Sequence, residues 1–301
     1  MISYLPSQIQ NRNKELHQLS QTSGLNVNEF VYDRENPMGI GEELRDFSQE
    51  FDRVLVDISG MSRLLIVQTL VALIRGRVRS ISILYSEARE YPPSKDRFDR
   101  DSQDGNEGQI PSYLSSGIIE IAATPELSSV SMLGEAIRLV AFPSFDPAQL
   151  NNLVQELQPT YTEVIHGTPP DPDNSWRTEA IRLLNERTLN ELHGKSDQTA
   201  STLDFRQALS IMLEIYGRRS MFDRLVVAPT GSKMQTVAVG IFRAVLHDVQ
   251  IVYPTPHVFT QPERYTLGVR RLYQLDLPTD AIWSAIKGVE ANDDETVPEF
   301  R

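Results

Sequence analysis

Hydrophobic positions along the chain alternate between short strand-like runs and helical spacing. Arg53-Val54-Leu55-Val56-Asp57-Ile58 is apolar and β-branched, as a buried strand requires, and Ser59-Gly60 breaks it. From Met61 to Arg75 the residues Leu64, Leu65, Val67, Leu70, Val71 and Ile74 fall at helical spacing, and Ile81 to Tyr85 returns to strand. This pattern predicts a β-α-β unit, with a parallel strand pair and a right-handed crossover.

The same rhythm continues. Strands are predicted at Ile118 to Ala122, Ala136 to Phe142 and Tyr161 to Ile165. Pro147 starts a helix through Leu150, Leu153, Val154 and Leu157, and Asn174 or Ser175 caps one through Ile181, Leu183 and Leu184. Further on come a helix from Phe205 to Tyr216, a strand from Leu225 to Ala228, a helix from Met234 to Leu246 and a strand from Val249 to Tyr253. Thr279 to Ile286 reads as a closing helix. The fold class is α/β, parallel-sheet-dominated and Rossmann-like.

Other segments carry weaker signals. Phe30-Val31-Tyr32 suits an early strand, and Glu43 to Phe51 a polar helix. Glu90 to Gly117 is rich in proline, glycine and charge; it reads as an exposed excursion, either a lid or a disordered insertion, and Pro92 to Gly117 is expected to be mobile without ligand. Gly194 to Thr202 is a polar break, placing a boundary between an N-terminal unit of 1–193 and a C-terminal unit of 194–301. A single continuous domain is the alternative. Tyr265 to Arg271 fits neither period.

Two of these units echo each other. Phe51-Asp52-Arg53 opens a strand, a Ser59-Gly60 turn and an apolar helix; Phe222-Asp223-Arg224 opens a strand, a Thr230-Gly231 turn and another apolar helix. The following strands pass through Tyr85 and Tyr253 into proline-bearing loops. Either the chain holds two related halves, or buried parallel strands have converged on a small apolar alphabet.

Composition narrows the functional classes. The 301 residues suffice for a large core. Cysteine is absent, which excludes disulfides, thiolate nucleophiles and cysteine-held metals, and the N-terminus lacks signal-peptide features, so the expected location is cytoplasmic. The most apolar window, Leu64 to Ile74, is too short to span a membrane. A net charge of −12 disfavours broad nucleic-acid binding but leaves room for a small anionic ligand in a local basic pocket. The five histidines show no ligand spacing, so neither a metal nor a cofactor is expected.

The sharpest chemical candidate is Pro229-Thr230-Gly231-Ser232-Lys233-Met234. Gly231 permits close backbone approach, Thr230 and Ser232 carry hydroxyls, the helix start supplies amides, and Lys233 adds a positive charge. These suit a phosphate, although neither GxxxxGK[ST] nor GxGxxG is present; a structural cap and a solvent-facing lysine explain the same residues. The matching turn holds Asp57, Ser59, Gly60, Ser62 and Arg63, where Asp57 suits a ribose hydroxyl and Arg63 a phosphate, or Asp57 only accepts local amides. The loop Tyr253 to His257 suits stacking on a base, or is a rigid turn.

At Gly231-Ser232-Lys233, a small-residue turn opening a helix, the chain resembles the CRISPR-associated Rossmann-fold (CARF) sensor domains, over Phe222 to Tyr253. The resemblance implies a nucleotide or cyclic-oligonucleotide ligand touching Thr230, Ser232 and Lys233, a homodimer or an effector protein as partner, and a place in antiviral defence. An enzymatic alternative uses Asp57, Glu87 and Glu90 to hydrolyse a nucleoside or dinucleotide glycosidic bond. A non-catalytic structural or protein-interaction module is the third reading.

Overall fold

The computed structural model describes residues 1–5, 13–76, 78–104, 113, 115–259 and 266–291. In chain order these form β1 (Ile2–Leu5), α1 (Asn13–Thr22), β2 (Phe30–Asp33), α2 (Ile40–Ser48), β3 (Arg53–Asp57), α3 (Arg63–Arg75), β4 (Ser80–Glu90), α4 (Lys95–Asp104), β5 (Ser115–Ala122), β6 (Ile137–Ala141) and α5 (Pro147–Leu157). There follow β7 (Tyr161–Thr168), α6 (Trp176–Leu184), α7 (Glu186–Glu191), β8 (Lys195–Ser201), α8 (Phe205–Arg219), β9 (Arg224–Ala228), α9 (Lys233–Val245), β10 (Gln250–Ile251), β11 (Tyr253–Phe259), β12 (Leu267–Pro278) and α10 (Thr279–Ala291).

The largest sheet is five-stranded, ordered β10-β9-β6-β7-β8 and parallel throughout, so the chain has an α/β, Rossmann-like fold. A smaller sheet, β12-β4-β3, pairs β3 with β4 in parallel and adds β12 antiparallel. Between the sheets lies one continuous core. It joins Ile81 and Ile83 of the small sheet, helices α3, α8 and α9, and Val140, Ile165 and Val227 of the large sheet. The opposite face of the large sheet is covered by Leu150 and Leu153 of α5 and Leu189 of α7.

Helices α3 and α9 run through this core and are buried almost all round, Leu64 to Ile74 in one and Met234 to Val245 in the other. A helix enclosed on every side needs apolar residues on every side, which is why α3 does not read as strongly one-faced. Polar residues enclosed with them include Thr69, Gln235, Thr236, Arg243 and Gln68, whose amide donates to the Pro37 carbonyl and to Glu126 Oε1, both at 2.7 Å. Gly240 of α9 lets the helices touch: a Cβ there would lie 2.8 Å from Leu70 Cδ1 and 3.0 Å from Leu70 Cβ.

Three sequence expectations need correction. The polar break at Gly194 to Thr202 is not a linker, since Lys195–Ser201 is β8, paired with β7. It reads as polar because an edge strand is solvated along one side. The excursion after Glu90 is not without structure either. Lys95–Asp104 is helical, and its Phe98 packs among Tyr113, Phe145 and Trp176. Arg177 ties down the preceding turn by donating to the carbonyls of Tyr91, Pro92 and Pro93. Residues 105–112 and 114 of that segment lie outside the described residues. Finally, Tyr253–Phe259 is a strand pairing antiparallel with β5, not a loop, and Leu267–Pro278 is a long strand despite its lack of a clear period.

The paired Phe-Asp-Arg tripeptides differ in their surroundings. Asp223 is buried and accepts from Arg138 Nε at 2.7 Å; Arg138 also donates to Glu163 at 2.5 Å and lies 4.3 Å from the Tyr161 ring centre. Asp52 is exposed and faces Arg79 at 3.5 Å.

Two helical glycines give opposite expectations. Replacing Gly240 with alanine should destabilise the protein by about 1–2 kcal/mol, because overpacking against Leu70 outweighs the gain in helix propensity. Gly217 in α8 borders open space, with nothing within 4 Å of the point a Cβ would occupy, so Gly217→Ala should stabilise by about 0.5–1 kcal/mol. Urea unfolding of both variants beside the parent chain measures the two signs.

Candidate functional site

The two glycine turns predicted from sequence meet in space. In the first, Asp57 Oδ1 accepts the Ser59 amide at 2.8 Å, and Ser59 Oγ accepts the Ser86 amide at 2.8 Å. Ser62 caps α3 by accepting from the Leu65 amide at 3.3 Å. The Tyr4 hydroxyl, arriving from β1, accepts the Ser62 amide at 2.7 Å and lies 3.4 Å from the Gly60 carbonyl.

The second turn is fastened to the strand ends around it. Thr230 Oγ1 donates to the Phe142 carbonyl at 2.7 Å, beyond β6, and Ser232 Oγ donates to the Thr202 carbonyl at 2.7 Å, beyond β8. Ser232 and Gln235 complete a reciprocal capping box at the start of α9. Gly231 is required by crowding: a Cβ there would lie 2.4 Å from Gln235 Oε1 and 2.9 Å from Phe142 Cβ. The hydroxyls of Thr230 and Ser232 therefore already serve the fold.

What joins the turns is an exchange of cations. Lys233 Nζ donates to the carbonyls of Ile58 at 2.8 Å and Met61 at 3.0 Å, and to that of Ser59. In return, Arg63 Nε donates to the Gly231 carbonyl at 2.5 Å. Lys233 is thus not a solvent-facing lysine; the residue is half-buried and its ammonium is the enclosed end. The stem reaches inward because α3 and α9 start side by side, bringing the first turn within its length.

This arrangement is electrostatically unusual. Arg63 and Lys233 are the first residues of their helices, where the backbone dipole is positive, and neither first turn contains an acid. Lys233 is satisfied by backbone carbonyls, and Arg63 donates to one through Nε. Burial, and then the neighbouring Arg63, lower the Lys233 pKa to about 7, while Asp57 opposes the shift. At the far ends of the helices the cations sit favourably: Arg75 of α3 donates to the Arg243 and Ala244 carbonyls of α9.

The carboxylates considered for hydrolysis are not brought together. Asp57 is in register with Leu84, so Glu90, six residues further along β4, is about 20 Å away, against the roughly 5–9.5 Å that glycosidic hydrolysis uses. Glu87 falls on the other face of β4 and accepts the Tyr273 hydroxyl at 3.1 Å. Glu90 is exposed beside Arg89. Tyr4 and Tyr273 carry no signal in the sequence, since each reaches its partner from a distant strand and leaves no local pattern.

The lowered pKa has a sign that can be measured. Between about pH 7 and 9 the unfolded chain holds the Lys233 proton and the folded chain releases it, so this residue makes stability rise with pH across that window. Urea midpoints collected over the window should show the rise, and Lys233→Met should flatten it whatever the variant's absolute stability.

Among known proteins, no protein-family model matches the chain, and no curated protein matches its sequence.

Proposed function

We propose that this protein is a nucleotide or cyclic-oligonucleotide sensor, or an accessory protein responding to one, and that the meeting point of its two turns takes the ligand's phosphate. The observation that carries this reading is the pair Arg63 and Lys233, two cations at the positive ends of two helices, each donating to backbone carbonyls. In a chain of net charge −12, such a concentration of positive potential favours an anion. The site also lies beyond the carboxyl ends of β3 and β9, where open α/β sheets place their ligands. The resemblance of Gly231-Ser232-Lys233 to CARF domains makes the anion part of a nucleotide, and a role in antiviral defence follows from that resemblance.

A phosphate at the junction exchanges lysine–carbonyl hydrogen bonds, in which only the donor is charged, for ones in which donor and acceptor both are. No positioned acid or nucleophile is needed, and the separation of Asp57, Glu87 and Glu90 favours sensing over glycosidic hydrolysis.

Calorimetric titration of mononucleotides, dinucleotides and cyclic oligonucleotides tests the reading. Lys233→Ala and Arg63→Ala should each weaken the ligand by roughly 1.5–3 kcal/mol, with circular dichroism checking the fold. Because the phosphate favours protonated Lys233, affinity should fall as pH rises through about 7 and binding should take up protons. A nucleotide that binds parent and variants equally, or the failure of every nucleotide to bind, defeats the proposal.

A further inference from the structure

A cleft of about 750 Å³ differs in character from the phosphate junction and lies between two strand edges. One wall is Met1, Ile2 and Tyr4 of the β1 segment. The other is β3, every residue of which, Arg53 to Asp57, lines the cleft. Side chains of a strand alternate between two faces, so a cleft touched by five consecutive residues runs along the backbone edge itself.

Both edges are unpaired among the described residues, because β1 pairs only with β2, and β3 only with β4. The ladders fix which groups point into the cleft. Ile58 donates to the Leu84 carbonyl and Arg79 to the Asp52 carbonyl, so the even-numbered residues of β3 face β4, and the N–H and C=O of Leu55, with the Asp57 N–H, face the cleft. On the other wall the Phe30 amide donates to the Met1 carbonyl and the Arg34 amide to that of Leu5. The backbone groups of Ile2 and Tyr4 therefore point away from β2, and both residues line the cleft.

We infer that this cleft is a vacant strand position, and that its partner is an extended peptide segment inserting between β1 and β3 to join the two sheets. Chemistry on the walls describes the segment. Its inward residues would meet Phe47, Leu65 and Leu73, so they are apolar; its outward residues follow the exposed Leu55 side into solvent, so they are polar. The edge is charged at its ends, with Arg53 at the start and Asp57 at the finish. A complementary segment carries an acid beside Arg53 and a base beside Asp57.

The probes are two fluorescein-labelled peptides, Val-Glu-Val-Thr-Val-Lys-Val and Val-Lys-Val-Thr-Val-Glu-Val, whose charges stand four residues apart as Arg53 and Asp57 do and satisfy them in opposite strand directions. One of them should bind the full chain by fluorescence anisotropy. N-methylation of either alternate set of its residues removes pairing with one wall and should weaken it about tenfold or more. Leu55→Pro should do likewise, since it deletes a donor that faces the cleft and leaves the β4 ladder intact. Hydrogen exchange supplies a readout independent of that variant's folding. In the free protein the Leu55 amide should exchange fast while Val54 and Val56 are protected, and the bound peptide should protect Leu55. Fast exchange retained in the complex, undiminished binding of N-methylated peptide, or binding of neither probe overturns the inference. So does a Leu55 amide already protected in the free chain, which would mean that the chain fills the position itself.

Discussion

Contact between α3 and α9 is the constraint on which the structure depends. Each helix follows a strand of a different sheet, and each is buried almost throughout its length, so neither can be solvated without the other. Their approach at Gly240 and Leu70 sets the helices close enough for the small sheet and the large sheet to share one core. It also sets the starts of the helices side by side. The turns that end β3 and β9 are consequently joined by packing first, and by hydrogen bonds second.

Charge is distributed unequally along that helix pair. Arg75 lies where the carbonyls of α9 end and stabilises them, as a cation at a helix C-terminus should. Arg63 and Lys233 lie where the dipole repels them, and each depends on carbonyls lent by the opposite turn. Burial shares the responsibility, since an exposed lysine would relieve the repulsion through water. The Arg75 end is crowded as well, since burial and the neighbouring Arg75 lower the pKa of Arg243 to about 10.

Much of this fold was legible in the sequence because its central elements are continuous and apolar. The strands around Val54 and Val226 and the helices after Ser62 and Ser232 stand where periodicity and capping residues put them. The edge strand Lys195–Ser201 was hidden by its polarity, and helix Lys95–Asp104 by having only Phe98 to bury. At the candidate site, residue types and turns were readable, but their pairing was not. That Lys233 reaches Ile58, or that Tyr4 reaches Ser62, depends on how distant elements pack, which no local spacing encodes. The similar tripeptides containing Asp52 and Asp223 make the same point, since one acid is solvated and the other is locked against Arg138.

The hydrogen bonds between the two turns link residues 168 to 175 positions apart. During synthesis at about 5–20 residues per second, α3 therefore leaves the ribosome roughly 10–35 s before the helix that covers it. Throughout that interval it is an apolar segment without its partner, and the nascent chain must be shielded from aggregation by other means. The burial that makes the finished protein coherent makes its first half dependent on the second from the moment of translation.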